Sequence, residues 1–144
     1  MAKYVKPTKT TKFHIDFNWW KQKGRNLRSY LLEHLCDDYR NLADADTESK
    51  TIDWVDPDTG QVFAVDRLWY TIRSHCSQNP DFIPDNLTLT ASIFRLFIAN
   101  NNTPLTPAEM HQQLRRKTPI LILRTIGGHT IYKGIRPATV PVNK

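Results

Sequence analysis

The stretch Thr103-Pro104-Leu105-Thr106-Pro107-Ala108-Glu109-Met110, then the basic run Arg115-Arg116-Lys117, then Thr118-Pro119 and a row of aliphatics to Ile126, decides how this chain reads. Thr106 falls at a helix N-cap, and Pro107 at the first helical position, where no N–H is needed. Glu109 falls at the third position, completing a capping box. Met110 and Leu114 point inward from that helix. Thr118-Pro119 repeats the cap-plus-proline start twelve residues later. Ile120, Leu123 and Ile126 then share one face, and Gly127-Gly128 ends the helix. Residues 119–126 have a second reading. They are rich in β-branched side chains, and Gly127-Gly128 is a valid two-residue hairpin turn before His129 to Ile135. Period alone does not separate a short apolar helix from a short apolar strand, so both readings stand.

Upstream, Ile93, Phe94, Leu96, Phe97 and Ile98 predict a strongly apolar helix from Thr90, ended by Asn100-Asn101-Asn102. Helix, connector, capped helix, basic turn, capped helix and a short strand-like segment with Tyr132 and Lys133-Gly134 follow one another. Over about residues 88–136 this order resembles the winged helix-turn-helix superfamily. The resemblance implies that the third helix enters the major groove of double-stranded DNA and that the wing touches the backbone. It would put Arg115, Arg116, Lys117 and Thr118 against phosphates or base edges. It makes Arg124 and Thr125 the polar residues of the third helix and places His129 and Lys133 on the wing.

At the N-terminus, Lys3, Lys6, Lys9 and Lys12 recur every third residue around Pro7. A polyproline-II arm has about 3 residues per turn, so all four would line one edge, suited to a phosphate backbone. Phe13, Ile15 and Phe17 alternate with His14, Asp16 and Asn18, which predicts a half-buried strand. Asn18 can cap a helix entered by Trp19-Trp20. Leu27, Tyr30, Leu31, His34 and Leu35 continue on one face, with Gly24 as a kink or interruption. Residues 37–50 read as an acidic loop. Thr51–Val55 and Gln61–Val65 bracket the turn Asp56-Pro57-Asp58-Thr59-Gly60, a hairpin. Asp66 caps a helix with Leu68, Trp69, Ile72 and Cys76 at core spacing, and Asn79-Pro80 stops it.

Composition narrows the function. The chain has 144 residues, 40% of them hydrophobic, enough for one domain or two very small ones. Its net charge of +6 hides a split. Residues 1–28 carry eight Lys and Arg against one acid, residues 29–86 four against twelve, and residues 87–144 eight against one. Basic ends suit an anionic partner, unless they fold against the acidic middle and cancel it.

No metal is expected. A calcium loop from Asp56 would need a carboxylate where Arg67 stands, and His34, Cys36, His75 and Cys76 lack convergent zinc spacing. Both cysteines are therefore expected reduced, in a cytoplasmic setting; the alternative, a Cys36–Cys76 disulfide, needs an oxidising one. The chain has no phosphate loop, nucleophile elbow or His-Glu-x-x-His, so neither an enzyme, a cofactor nor a small-molecule substrate is expected. No apolar run reaches the ~18 residues of a membrane span.

The expected architecture is mixed α/β, mostly α. It comprises a basic flexible arm (1–12), a strand-helix-hairpin-helix unit (13–86), a winged-helix-like three-helix unit (87–136) and an extended tail (137–144). The expected function is non-enzymatic binding of double-stranded DNA through its phosphates, with weak sequence preference. The alternative is a protein–protein interaction module on the same fold.

Overall fold

The computed structural model describes residues 6–39, 51–55, 60, 62–115 and 117–138. They form a mixed α/β, mostly helical structure. The elements in order are β1 (Phe13–Ile15), α1 (Phe17–Gln22), α2 (Leu27–Glu33), β2 (Thr51–Val55), β3 (Val62–Asp66), α3 (Arg67–Ser74), α4 (Leu89–Ala99), α5 (Pro107–Gln113), α6 (Pro119–Ile126) and β4 (Ile135–Pro137). The chain divides into a terminal unit, Met1–Arg25 with Ile83–Lys144, and a middle unit, Asn26–Phe82. β1 and α1, grouped with the middle of the chain on sequence alone, thus belong with the C-terminal helices. No helix among the described residues is long and apolar enough to cross a membrane.

In the terminal unit, local chemistry sets the helix starts. Thr106 accepts the Glu109 N–H at 3.1 Å while the Glu109 carboxylate accepts the Thr106 N–H at 2.8 Å, closing the capping box. Thr118 accepts the Leu121 N–H at 3.2 Å, and residues 119–126 are helix, not hairpin. The helical reading wins because the capped, proline-led start presets the backbone, and a helix buries Ile122 and Ile126 on one side. α4, α5 and α6 each pack against the other two. Phe94, Phe97, Ile93, Ile98, Met110 and Ile122 are fully buried in this unit.

β1 runs antiparallel to β4, in the register Phe13 to Pro137, His14 to Arg136 and Ile15 to Ile135. Burial of Phe13, Ile15 and Ile135 drives the pairing. The other edge of β1 is also satisfied. Phe13 exchanges backbone hydrogen bonds with Leu105 at 2.7 and 3.0 Å. The Asn102 amide accepts the Ile15 N–H at 2.8 Å and donates to the Ile15 carbonyl at 2.9 Å.

Two expectations fail near the N-terminus. The cap of α1 is Asp16, which accepts the Asn18 N–H at 3.0 Å; Asn18 lies inside the helix. Residues 6–12 are not an extended arm. Thr8 and Thr11 close a turn, Thr11 N–H to Thr8 carbonyl at 3.1 Å, and Pro7 is buried. Lys3 lies outside the described residues.

In the middle unit, β2 and β3 form the expected hairpin; its turn, residues 56–59, lies outside the described residues. Most of the acidic loop, residues 40–50, lies outside them too. Asp66 caps α3 through the Leu68 and Trp69 N–H groups at 2.8 and 3.1 Å. Gly24, at φ +63°, separates α1 from α2, which begins afresh at the Asn26 cap. α2 ends at Glu33, so Cys36 leaves the helix and meets Cys76 in a disulfide with Cα atoms 5.5 Å apart. This overturns the expectation of two reduced cysteines, which rested on a reducing setting, and bears out the alternative pairing. It also removes the thiol-based ground for a cytoplasmic setting.

The capping box gives a direct test. Thr106→Ala is expected to lower stability by about 1 kcal/mol, read as a shift in the denaturation midpoint, with Thr106→Ser recovering most of it. The Thr106 backbone hydrogen bond, with Lys12 at 3.5 Å, holds the Glu109 carboxyl below the usual glutamate range. Because the folded-state value is depressed, the carboxylate's contribution is complete above the ordinary range and fades as pH falls through the lowered value. Thr106→Ala as stable as the parent would show that the box is idle.

Candidate nucleic-acid interface

Charge follows the division of the chain. The terminal unit holds 15 Lys and Arg against 3 Asp and Glu, while the middle unit holds 5 against 11. Both basic ends of the sequence therefore belong to one folded unit with few carboxylates. Two of these are already engaged: Asp16 lies 3.4 Å from Arg136, and Glu109 lies 3.5 Å from Lys12.

The turn between α5 and α6 supplies the first group of expected contacts. Arg115 is exposed there and Lys117 half-buried, with Arg116 outside the described residues. His111 fixes the turn, its Nδ1 lying 2.6 Å from the Lys117 carbonyl. The hydroxyls of Thr118 and Thr125 are spent on α6 itself. Thr118 caps it, and Thr125 donates to the Leu121 carbonyl at 2.9 Å. Of the polar side chains expected on α6, Arg124 is the one left reaching into solvent. Ile120 and Leu121 are 44% and 39% exposed beside it. This surface offers one cation and two aliphatics, few groups with which to read base edges.

The segment after α6 is tightly held. Tyr132 bridges to Ile135, and Lys133 and Gly134 have φ of 56° and 79°, the sign that a type I′ turn needs at both central positions. Trp20 Nε1 donates to the Lys133 carbonyl at 3.0 Å and the Asp16 N–H to the Gly134 carbonyl at 2.8 Å. The turn carrying Lys133 is thus seated on α1, whereas His129 is exposed in the bend before it.

Three recesses meet at Gly128. One, of about 440 Å³, is lined by Thr90, Arg124, His129, Thr130 and Tyr132. The second, of about 400 Å³, is walled by Lys6, Pro7, Ile120 and Arg124. The third, of about 1000 Å³, takes in His14, Asp16, His129 and Arg136. The structure therefore brings Lys6, Arg124 and His129 to adjoining surfaces. Lys12 lies at the start of α5, beside Glu109, and Lys9 is exposed in the Thr8–Thr11 turn. Burial lowers the His14 pKa against the pull of Asp16, and Arg136 lowers it further.

Sequence reading missed His14, Arg136, Thr90, Thr130 and Tyr132 as lining groups. They come from separate parts of the chain, and only the β1–β4 register, which starts from the alternation at Phe13-His14-Ile15, could have linked His14 to Arg136. Among the described residues no group of three His, Cys, Asp or Glu side chains is arranged to hold a metal ion. Compared with protein-family models, curated proteins and solved structures, the chain matches none.

Proposed function

We propose that the terminal unit is a winged-helix-like module that binds double-stranded DNA without catalysis, through phosphate contacts and with weak sequence preference. The observation that carries this reading is the concentration of 15 Lys and Arg against 3 acids in one unit. Its threonine-capped helices α5 and α6 are joined by the turn holding Arg115 and Lys117. Weak preference follows from α6, whose exposed groups are Arg124, Ile120 and Leu121.

Phosphate binding makes affinity fall steeply with salt, because each neutralised phosphate releases counterion with a slope of about 0.9. Titration of a labelled duplex at ~50 mM and ~200 mM salt is expected to show that fall. Arg115→Ala with Lys117→Ala is expected to reduce the slope by about 1–2 and to weaken all sequences alike. Absence of duplex binding at the lower salt removes the proposal. A protein-interaction module is then the better reading, favoured by the exposure of Ile120 and Leu121 on α6.

A further inference from the structure

The recess lined by Arg124, His129, Thr90, Thr130 and Tyr132 differs from the basic turn at Arg115 and Lys117 in holding an exposed aromatic ring. Tyr132 is 45% exposed, and its backbone is held by the bridge to Ile135 and by the seated Lys133-Gly134 turn. An aromatic side chain on a fixed turn loses little freedom when something stacks on it. Arg124 lines the same recess, together with the hydroxyl-bearing Thr90 and Thr130. At about 440 Å³ the open, polar-lined recess has room for one nucleotide-sized group. Arg124 also walls the adjoining recess that holds Lys6, so the two recesses together present two cations.

We propose that this recess takes one unpaired nucleotide of single-stranded DNA, its base stacked on Tyr132 and its flanking phosphates on Arg124 and Lys6. The inference rests on the nucleic-acid reading above and deepens it. Inside a duplex the faces of each base are covered by its neighbours, so only an unpaired base can lie on the tyrosine. The Thr90 and Thr130 hydroxyls give polar partners to any base edge, and the site is expected to tolerate sequence.

The test is fluorescence anisotropy with a labelled oligothymidylate and with its duplex on oligoadenylate, using the full chain. The protein is expected to bind the single strand more tightly. Tyr132→Ala is expected to weaken single-strand binding by about 10-fold, leaving duplex binding within about two-fold, and Tyr132→Phe to restore it. Gly128→Leu provides a second route. Gly128 lines the recess, and a Cβ there meets nothing within 4 Å, so a larger side chain can be placed at its wall without an initial collision. It is expected to reproduce the Tyr132→Ala loss. If both variants bind the single strand as the parent does while duplex binding persists, this inference is overturned and the phosphate-binding reading survives. If the parent binds neither DNA, both fall together.

Discussion

Reducing the Cys36–Cys76 bond, or replacing both cysteines with serine, is expected to destabilise the middle unit by about 3–4 kcal/mol. The bond spans 40 residues, a loop that contains the hairpin and α3, so its opening returns a large conformational freedom to the unfolded chain. The unit Asn26–Phe82 is short, and small units bury too little surface to be stable without a staple. Packing around the bond is aromatic: the Tyr39 ring stacks on His75 with centroids 4.7 Å apart, and the Cys36 N–H points at the Cys76 sulfur. The terminal unit contains neither cysteine. Hydrogen exchange read by mass spectrometry with and without reductant is expected to show loss of protection within 26–82 and little change in peptides from 87–138. Equal loss in both units, or none in either, contradicts a staple acting on the middle unit. Duplex binding by the reduced protein, if retained, would assign it to the terminal unit.

What could be read from the sequence was what is decided within a few residues. Thr106, Thr118 and Asp66 announce their helices because a cap is a contact between side chain and backbone two or three positions away. The choice between helix and hairpin at 119–126 was open on periodicity, and the Thr118-Pro119 start pointed to the answer. Long-range pairing was not legible. Nothing at Phe13-His14-Ile15 announces a partner at residues 135–137, since any alternating strand would serve. The disulfide could be named only as the alternative for a related reason: the sequence does not say that α2 stops at Glu33 or that α3 brings Cys76 to Cys36. The recess at Tyr132 escaped because its walls come from α4, α6 and the segment after it, brought together only by packing.

Gly134→Ala is expected to destabilise the terminal unit by about 2–4 kcal/mol, combining left-handed backbone strain with overpacking. Gly134 has φ +79°, which a side chain tolerates poorly. A Cβ there would lie 2.8 Å from Trp20 Nε1 and 3.0 Å from the Asp16 carbonyl. Neither neighbour can retreat freely. Trp20 is nearly buried, meets Trp19 edge to face with centroids 5.3 Å apart and Phe94 at 6.2 Å, and donates its indole N–H to Lys133. The Asp16 carbonyl belongs to the residue that caps α1, whose own N–H donates to Gly134. Gly24→Ala separates the two costs. Gly24 has φ +63° but nothing within 4 Å of a Cβ, so it carries strain without collision, about 1 kcal/mol. Denaturant unfolding followed by tryptophan fluorescence compares them directly. A Gly134→Ala variant no less stable than Gly24→Ala would mean that the turn is not seated on Trp20. If the turn is seated there, Gly134→Ala also loosens the support of Tyr132, and whatever fraction stays folded loses its preference for single-stranded over duplex DNA.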